Sequence, residues 1–513
     1  MIISLNWLKE WIKVDVDLPY LSDLLTTAGL EVSSISRVQE FSNKIRVAEV
    51  VSTTDLPGNS SLKICQVDVG QRRHVGIVCG AANVEVGHRV VAAMLGSSLP
   101  GGKTIRVADF GGRKSRGMLC SAGDLRLDYS TDNSAGLLVL DSNAPVGNSL
   151  NDYLQVDDHI IDIDLTPNRG DCLSIQGIAR ELHALTGEKL AGPSLKPVRA
   201  TSKHIVQLEI QAPRDAPRYV GRVIDGVVSQ SKTPDWMRER LRRCGLRSIG
   251  AIVDITNYVM LELGQPLHAF DLKEIKEKIV VRHSEKGENL DLLDGKSIQL
   301  TPETLVIADA DKAIGMAGIM GGMNSSIDGQ TTSIMLEAAY FRPGAIARKA
   351  RTYGIQSEAS FRFERKVDPG LQRTAIERAT QMITASVGGQ PGPVFQKVSE
   401  SHITTKNPIT LRRSRLIRVL GHTIPDKQVK STLESLGMRV RNLKSGWKVL
   451  PPSWRTDVEE EHDLVEEVVR IYGYDNVPTR DPKSVIAYTP DRESILTTDR
   501  LTDFLIDNDY QEI

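Results

Sequence analysis

The segment that most constrains this chain is RSIGAIVDITNYVMLELGQPLHAFD, residues 247–271. Asp254, Asn257 and His268 interrupt a stretch that is otherwise apolar enough to be buried. A buried polar group that lacks a hydrogen bond costs about 2 kcal/mol or more. The segment therefore either contains an internal hydrogen-bonded network or lines a cavity that receives a ligand, and its residues alone leave both possibilities open.

Length and composition predict a cytoplasmic protein of several domains. At 513 residues the chain exceeds what one hydrophobic core usually serves, so three or more domains are expected. The net charge of −1 indicates no general attraction to nucleic acid or membrane, so either partner would need a local patch. Five scattered cysteines without a C-x-x-C pair are typical of reduced thiols. We find no signal peptide and no apolar run of membrane-spanning length, so we expect no membrane partner.

Two distant pairs of segments share a pattern, which indicates an internal repeat. A helix that ends in glycine and leads into a strand is predicted around Gly29 and again around Gly437. A second helix closes at a glycine in the segments Arg169–Gly187 and Arg455–Gly473, which span 18 residues each from arginine to glycine. We interpret this as one small helix and strand unit used twice, with the first copy split by an insert at 39–150. Chance similarity between amphipathic helices is the alternative.

The insert at 39–150 differs from its surroundings in its pattern of apolar and polar residues. Its short alternating runs, separated by glycine-rich turns, predict a small antiparallel barrel. A larger mixed region follows between residues 205 and 398, in which strands accompany helices such as Asp235–Cys244. Linkers rich in proline or glycine, at 191–197 and 388–393, mark the ends of that region. The predicted fold class is therefore α+β with several domains.

Several long motifs resemble the β subunit of bacterial phenylalanyl-tRNA synthetase. Besides the opening segment, they are GMLCS (117–121), TPNR (166–169), PRYVGR (217–222), GIMGG (318–322) and SEASFRFERKVDP (357–369). The domains implied are a split N-terminal small domain (1–38 plus 151–200) around a tRNA-binding OB-fold barrel (39–150), a mixed α/β B3/B4 editing domain (201–400), a winged-helix-like B5 domain (401–480) and the start of a catalytic-like domain (481–513). Chains of that family continue further, so we expect a C-terminally truncated form.

The resemblance implies a role in a ligase that charges tRNA(Phe). The α subunit would bind ATP and phenylalanine and form the ester, and this chain would join it in a heterotetramer of two α and two β subunits. Its own chemistry would be editing, because an apolar phenylalanine pocket rejects an added hydroxyl only about a hundredfold. A second, hydrolytic site can instead demand that hydroxyl and release tyrosine from mischarged tyrosyl-tRNA(Phe).

The same resemblance assigns the editing residues. Glu337 would accept the tyrosine hydroxyl, and His268 would place the substrate or the attacking water. The residues that line the pocket would be Arg247, Asn257, Gly318, Gly321, Ser357 and Ala359. Without the resemblance, a lone histidine is more often structural than catalytic. No G-x-S-x-G elbow accompanies Ser357, which favours a positioned water over a covalent intermediate.

An acidic run at the start of a predicted helix is the second candidate site. Residues 457–467, DVEEEHDLVEE, hold seven carboxylates in eleven positions. Negative charge near a helix N-terminus is favourable by about 0.3–1 kcal/mol per residue, which explains most of them. Asp463, Glu466 and Glu467 fall on one side of the helix, so their oxygens are predicted to converge. Asp457 lies a turn or more earlier, and the resemblance implies Mg²⁺ at these four positions, shared with the α subunit.

Two positions depart from the family pattern. The turn LPGNSSL at 56–62 lacks the usual histidine and one lysine, which leaves its contact with tRNA open. Lys366 stands where the family has glycine, so a positive φ would strain it. Two other functions also stay open. One is a non-catalytic fragment that binds tRNA or a partner, and the other is a DNA-binding regulator, suggested by the repeated units and by arginine clusters such as that at 238–243.

Overall fold

The computed structural model describes residues 1–127, 129, 136–479 and 497–511. The chain divides into two compact units, Met1–Tyr474 and Asp475–Ile513. Five clusters of buried apolar side chains occur among the described residues, as expected for a chain too long for one core. None of the helices in these ranges is both long and apolar enough to cross a lipid bilayer.

The chain begins with one half of a small domain. Side chains cap both helices, because Ser4 Oγ accepts a hydrogen bond from the backbone N–H of Trp7 and the Asp17 carboxylate accepts one from that of Tyr20. Gly29, with a φ of +88°, turns the chain out of the second helix and into a strand, as the sequence predicts. The elements are β1 (Ile2–Ser4), α1 (Leu5–Lys9), α2 (Leu18–Thr27) and β2 (Glu31–Arg37).

The insert forms a curled antiparallel sheet. Its elements are β3 (Ile45–Leu56), β4 (Asn59–Asp68), β5 (Val75–Cys79), β6 (Arg89–Met94), β7 (Ala108–Phe110), β8 (Arg113–Ser115), β9 (Gly117–Leu119) and α3 (Leu150–Leu154). The strand order is β5-β4-β3-β6-β9, with β7 and β8 as a separate hairpin. The sheet curls back on itself, since the N–H of Arg116, beside β9, donates to the carbonyl of Gly76 in β5. Residues 137–140 lie outside the strands and contact the sheet through an isolated bridge from Val139 to Val90.

After the insert the chain completes the first small domain with β10 (His159–Asp164) and α4 (Ile175–Thr186). β10 lies between β1 and β2 in an antiparallel sheet of three strands. The hydroxyl of Ser174 caps the start of α4, and Gly187 ends the helix in the left-handed conformation. The domain is therefore assembled from segments on both sides of the insert.

The region after the first small domain forms two five-stranded sheets with helices packed on them and a separate two-stranded sheet. Its elements are β11 (Gln207–Ile210), β12 (Arg218–Asp225), α5 (Asp235–Arg243), α6 (Ala251–Leu263), β13 (Leu267–Asp271), β14 (Lys278–His283), β15 (Asn289–Asp291), β16 (Ser297–Gln299), β17 (Leu305–Ala308), β18 (Ala313–Met316), β19 (Met320–Gly321), β20 (Ser333–Tyr340), α7 (Pro343–Tyr353), α8 (Glu358–Phe363), α9 (Gln372–Ser386), β21 (Gln390–Pro391) and β22 (Phe395–Val398). One sheet has the order β11-β14-β17-β18-β19 and the other β13-β20-β12-β21, with β22 also paired to β12. Tyr219, Phe270 and Ile307 belong to the core that the two sheets share.

The opening segment 247–271 becomes α6, a glycine turn and β13, and its polar residues serve different purposes. The buried Asp254 carboxylate accepts hydrogen bonds from the hydroxyls of Thr233 and Ser248 and from a backbone N–H. It therefore belongs to a satisfied internal network. His268 in β13 lines a cavity instead, so the two possibilities left open by the sequence are both realised.

A second small domain repeats the topology of the first. Its elements are β23 (Ile409–Arg412), α10 (Arg413–Leu420), α11 (Asp426–Ser435), β24 (Arg439–Leu443), β25 (Gly446–Leu450) and α12 (Glu461–Tyr472). The strand order β23-β25-β24 corresponds to β1-β10-β2. The corresponding helices α2 and α11 have ten residues each, and α4 and α12 have twelve each. The internal repeat indicated by the glycine spacing is thus present in the fold.

In the second compact unit, the structure describes the helix α13 (Thr498–Ile506). The Thr497 hydroxyl caps it by accepting a hydrogen bond from the N–H of Arg500. The sequence predicts a helix over 492–507, of which residues 492–496 lie outside the described residues.

Candidate functional site

His268 and Glu337 lie opposite each other on neighbouring antiparallel strands. β13 pairs with β20 in a register that makes these two residues Cα partners. Both side chains line one small cavity with a volume of about 70 Å³. The other residues that line it are Pro266, Leu267, Phe270, Ile307, Gly315, Met316, Gly318, Ile319, Met320, Gly321, Ala359 and Phe363. The cavity is therefore mainly apolar, and one carboxyl and one imidazole are its titratable groups.

Glu337 is buried, with 7% of its surface exposed. Burial raises the pKa of Glu337 to about 7, although a hydrogen bond from Tyr219 acts to lower it. The Tyr219 hydroxyl donates to Glu337 Oε2 at 3.0 Å, and among the described residues it is the only donor to this carboxylate. A carboxyl group that titrates near neutral pH inside a cavity is a candidate functional group.

The His268 ring is neutral near pH 7 and has an unpaired nitrogen. Burial lowers the pKa of His268 to about 4. The ring packs edge-on against Phe270, with centroids 4.3 Å apart, and its buried Nε2 has no hydrogen-bond partner in the described part of the chain. Buried polar atoms nearly always have partners. The unpaired nitrogen beside a cavity therefore distinguishes His268 from an ordinary structural histidine.

Two glycines make room for the cavity. A Cβ atom at Gly321 would lie 2.5 Å from His268 Cε1, so a side chain there would displace the imidazole. Gly318 has a φ of +66°, and a Cβ atom there would lie 2.9 Å from the rings of Phe341 and Phe363. Their lack of side chains is required by close packing and, at Gly318, also by the backbone conformation.

The structure brings together most of the predicted editing residues. The cavity is lined by His268, Glu337, Gly318, Gly321 and Ala359. Ser357 adjoins it, because its hydroxyl caps α8 and donates to the carbonyl of Ile319, a lining residue, at 2.7 Å. Arg247, before α6, and Asn257, within α6, do not line the cavity.

Sequence reasoning did not assign a role to Tyr219, although this residue stands in the motif 217–222. β12 pairs with β20 so that Gly221 is the Cα partner of Glu337, which places Tyr219 two residues away along the strand. Strand alternation puts Tyr219 and Gly221 on one face. Only the pairing register shows that this face meets Glu337, so no signal in the sequence alone identifies the contact.

The four predicted metal ligands line a second cavity, of about 500 Å³, but arginines occupy two of them. Asp457 receives hydrogen bonds from Arg455 on both oxygens, at 2.9 and 2.7 Å. Glu467 forms ion pairs with Arg455 and with Arg470. Burial opposes ionisation of Glu467, but the two guanidinium groups prevail and lower its pKa well below the usual range.

The three carboxylates predicted to converge on one side of α12 do not converge in the structure. Asp463 Oδ2 accepts hydrogen bonds from two backbone N–H groups at the start of the helix, and Glu466 is exposed to solvent. Within the described ranges, the one group of three or more potential ligand atoms that all lie within 4.8 Å of one another is that of Asp171, Cys172 and Glu181, and arginines pair with both of its carboxylates. The residues of this chain alone therefore do not fit a magnesium ion, which requires open oxygen ligands.

The arginine cluster of α5 is neutralised by nearby carboxylates. The pairs are Arg238 with Asp235, Arg240 with Glu10, Arg242 with Glu239, and Arg243 with Asp158. Arginines held in such pairs are poorly available to a phosphate backbone. This arrangement weakens the case for a DNA-binding regulator.

Both departures from the family pattern are visible in the structure. Lys366 has a φ of +69°, the left-handed conformation that is unfavourable for a residue with a side chain, and its Nζ lies 3.2 Å from Glu459 Oε1. The turn at 56–62 is a tight hairpin between β3 and β4, in which Gly58 has a φ of +83°.

Three family models match parts of the chain. They are "Putative tRNA binding domain" at 45–149, "B3/4 domain" at 215–388 and "tRNA synthetase B5 domain" at 409–474. All of the residues that line the His268 and Glu337 cavity, including these two, fall within the B3/4 match. Together the matches define a multidomain chain of the aminoacyl-tRNA synthetase class.

Curated relatives make the assignment more specific. Proteins named "Phenylalanine--tRNA ligase beta subunit" match from Pectobacterium atrosepticum (45% identical, 99% of this chain, 63% of the relative), Methylococcus capsulatus (45%, 100% and 64%) and Vibrio cholerae (43%, 100% and 64%). The chain belongs to this family of phenylalanine–tRNA ligase β subunits. It spans just under two thirds of the length of these relatives, 63% to 64%.

Proposed function

We propose that this chain hydrolyses tyrosyl-tRNA(Phe) in the cavity between His268 and Glu337. The observation that carries the proposal is that an imidazole and a carboxyl group face one apolar cavity from paired positions on adjacent strands. The apolar walls suit an aromatic ring. Glu337 Oε1, which receives no hydrogen bond from the described residues, suits a phenolic O–H.

Discrimination would come from the carboxylate. Tyrosine would donate its phenolic hydroxyl to Glu337, whereas phenylalanine would leave a buried carboxylate without that partner. A site built to hydrogen-bond a hydroxyl therefore rejects the ligand that lacks one. This selection is the inverse of the one that an apolar, ester-forming site can make.

Hydrolysis would use a positioned water molecule. The unpaired Nε2 of neutral His268 can hold a water by hydrogen bonding and orient it towards the ester carbonyl. Addition of water breaks the ester bond, which releases tyrosine and leaves a free hydroxyl on the tRNA terminus. No covalent enzyme intermediate is needed.

We also propose that the chain acts in the cytoplasm within phenylalanyl-tRNA synthetase, in a heterotetramer with an α subunit that uses ATP to charge tRNA(Phe). The identity to proteins named as β subunits and the match to a tRNA-binding domain support this role. The five free cysteines agree with a reducing compartment. A magnesium site at Asp457, Asp463, Glu466 and Glu467 would require the α subunit to complete it.

Replacement of Glu337 tests the proposed activity. Purified chain should release tyrosine from tyrosyl-tRNA(Phe) faster than phenylalanine from phenylalanyl-tRNA(Phe). Glu337→Ala should reduce this preference about 10- to 100-fold, because a hydrogen bond to a charged group contributes about 1.5–3 kcal/mol. The control Glu274→Ala removes an exposed carboxylate that follows β13 and should leave the preference unchanged.

The same assay separates the rival functions. Retained binding of tRNA(Phe) without release of tyrosine would favour a non-catalytic fragment. Salt-sensitive preference for duplex DNA over tRNA would favour a DNA-binding regulator. Equal hydrolysis by the unaltered chain and Glu337→Ala would refute the assignment of this cavity.

A further inference from the structure

The carboxylate of Glu337 has two oxygens with different surroundings. Oε2 receives the Tyr219 hydroxyl, and Oε1 receives no hydrogen bond from the described residues. We propose that Tyr219 is a positioning residue that assigns Oε2 to the protein and leaves Oε1 for the phenolic hydroxyl of the substrate. This inference rests on the hydrolysis of tyrosyl-tRNA(Phe) proposed above.

Tyr219 is held rigidly enough to fix the carboxylate. It has no exposed surface and packs in the core between the two sheets, with Phe270 and Ile307 in the same cluster. Its strand β12 pairs with β20, the strand that carries Glu337, along the whole length of both. The ring does not line the cavity, so Tyr219 acts on the substrate only through Glu337.

The hydrogen bond also affects the charge of Glu337. A donor to a carboxylate favours its ionised form, and an ionised oxygen accepts a phenolic hydroxyl more strongly than a protonated carboxyl does. Burial and the nearby carboxylate raise the pKa of Tyr219 well above its usual range, so Tyr219 keeps its proton and remains a donor. Tyr219 therefore opposes the neutralisation that burial alone would impose on Glu337.

Few groups other than Tyr219 lie close enough to influence the ionisation of Glu337. Around Glu337, β12 contributes the Tyr219 hydroxyl and β13 contributes the His268 ring, which is neutral at pH 7. The lining residues from β17, β18, β19 and α8 are apolar or glycine. A change in the pH dependence of tyrosine release can therefore be traced to the pair of Tyr219 and Glu337.

The test measures tyrosine release from tyrosyl-tRNA(Phe) between about pH 6 and 9 by the unaltered chain and by Tyr219→Phe. Loss of the donor should move the midpoint of the pH profile upwards. Below the midpoint, release should fall about tenfold for each pH unit of the shift and recover at higher pH. The control Tyr340→Phe alters a tyrosine at the end of β20 that does not line the cavity, and its profile should match that of the unaltered chain.

A double-variant cycle separates positioning from a general effect on packing. In the Glu337→Gln background no carboxylate is left to orient or ionise, so adding Tyr219→Phe should change neither the rate nor the pH profile. An equal loss in both backgrounds, or an unshifted profile for Tyr219→Phe, would overturn the inference while leaving the proposed hydrolysis intact. Absence of tyrosine release by the unaltered chain would overturn both.

A second substitution covers the case in which Tyr219→Phe does not fold. Incorporation of 3-fluorotyrosine at position 219 keeps the shape of the ring and makes its hydroxyl a stronger donor. The midpoint of tyrosine release should then move downwards. An unchanged or raised midpoint would contradict the assigned role of Tyr219.

Discussion

His268 and Glu337 make stability depend on pH in opposite directions. Burial raises the pKa of Glu337 from 4.5 to about 7, so its stabilising contribution is present below pH 4.5 and is lost as the pH rises to about 7. Burial lowers the pKa of His268 from 6.5 to about 4, so its contribution is present above pH 6.5 and is lost as the pH falls towards 4. Because these two pH ranges overlap, the opposite changes in stability with pH nearly cancel when both residues are present.

Replacement of either residue should reveal the pH dependence of stability that the other residue causes. Relative to the unaltered chain, the free energy of unfolding of His268→Gln should fall by about 3 kcal/mol between pH 4 and 6.5, because the compensating histidine contribution is gone. The free energy of unfolding of Glu337→Gln, again relative to the unaltered chain, should rise by about 3 kcal/mol between pH 4.5 and 7. Urea unfolding at each pH measures both differences, and all other titrating groups cancel. Parallel pH profiles for the three proteins would show that neither group is strongly perturbed.

The resemblance to the family identified both His268, which lies in the opening segment 247–271, and Glu337, which lies outside the quoted motifs. It did not identify Tyr219 as their neighbour. The contact from Tyr219 to Glu337 depends on how β12 pairs with β20, and the sequence separation of these strands carries no information about that register. Motif resemblance therefore named the groups in the cavity but not the residue that orients the carboxylate.

Each small domain contains the same arginine-centred arrangement. Arg169 pairs with Asp171 and Glu181 in the first copy, at 3.0 and 2.7 Å. The corresponding group in the second copy is Arg455 with Asp457 and Glu467. Arg470 joins the two copies, because it forms ion pairs with Glu181 and Glu467 and donates to the carbonyl of Ala28. The repeats are therefore connected by a buried network of charges.

Breaking this network should destabilise the first compact unit. Arg470→Met leaves two buried glutamates short of a cation, and removal of one partner of a buried pair costs about 3–5 kcal/mol. The control Arg418→Met removes an exposed arginine of α10 and should change the free energy of unfolding by about 0.5 kcal/mol or less. Urea unfolding compares the two. Equal stability of both variants would show that Arg470 does not stabilise the junction.

The sequence predicted the repeated helices and strands well, since their ends carry local signals such as Gly29, Gly187 and Gly437. It did not predict how the acidic run would be used. Residues 457–467 indicate metal ligands only if their oxygens are open, and this depends on Arg455 and Arg470 of the second repeat, which pair with Asp457 and Glu467. Local patterns determine where helices end, whereas the pairing of the carboxylate of Glu467 with Arg455, twelve residues earlier, depends on how the chain packs.

The acidic cavity lies where both small domains and the segment after α8 meet. Its lining includes Asn168, Lys366 and the carboxylates of α12. Asp457 and Glu467 are engaged by arginines, which leaves Asp463 and Glu466 as the candidates for an open oxygen ligand. Magnesium needs near-octahedral oxygen coordination and is seldom bound by so few protein ligands unless other groups complete the site.

Magnesium should therefore stabilise this chain only when an α subunit is bound. For the chain alone, added Mg²⁺ or EDTA should leave the melting temperature unchanged, because a ligand stabilises only the state that binds it. For the complex with an α subunit, EDTA should lower the melting temperature, and Glu466→Ala should reduce that response. Differential scanning calorimetry measures both cases. Magnesium-dependent stabilisation of the isolated chain, abolished by Asp463→Ala, would show that its own carboxylates bind the ion despite the arginines.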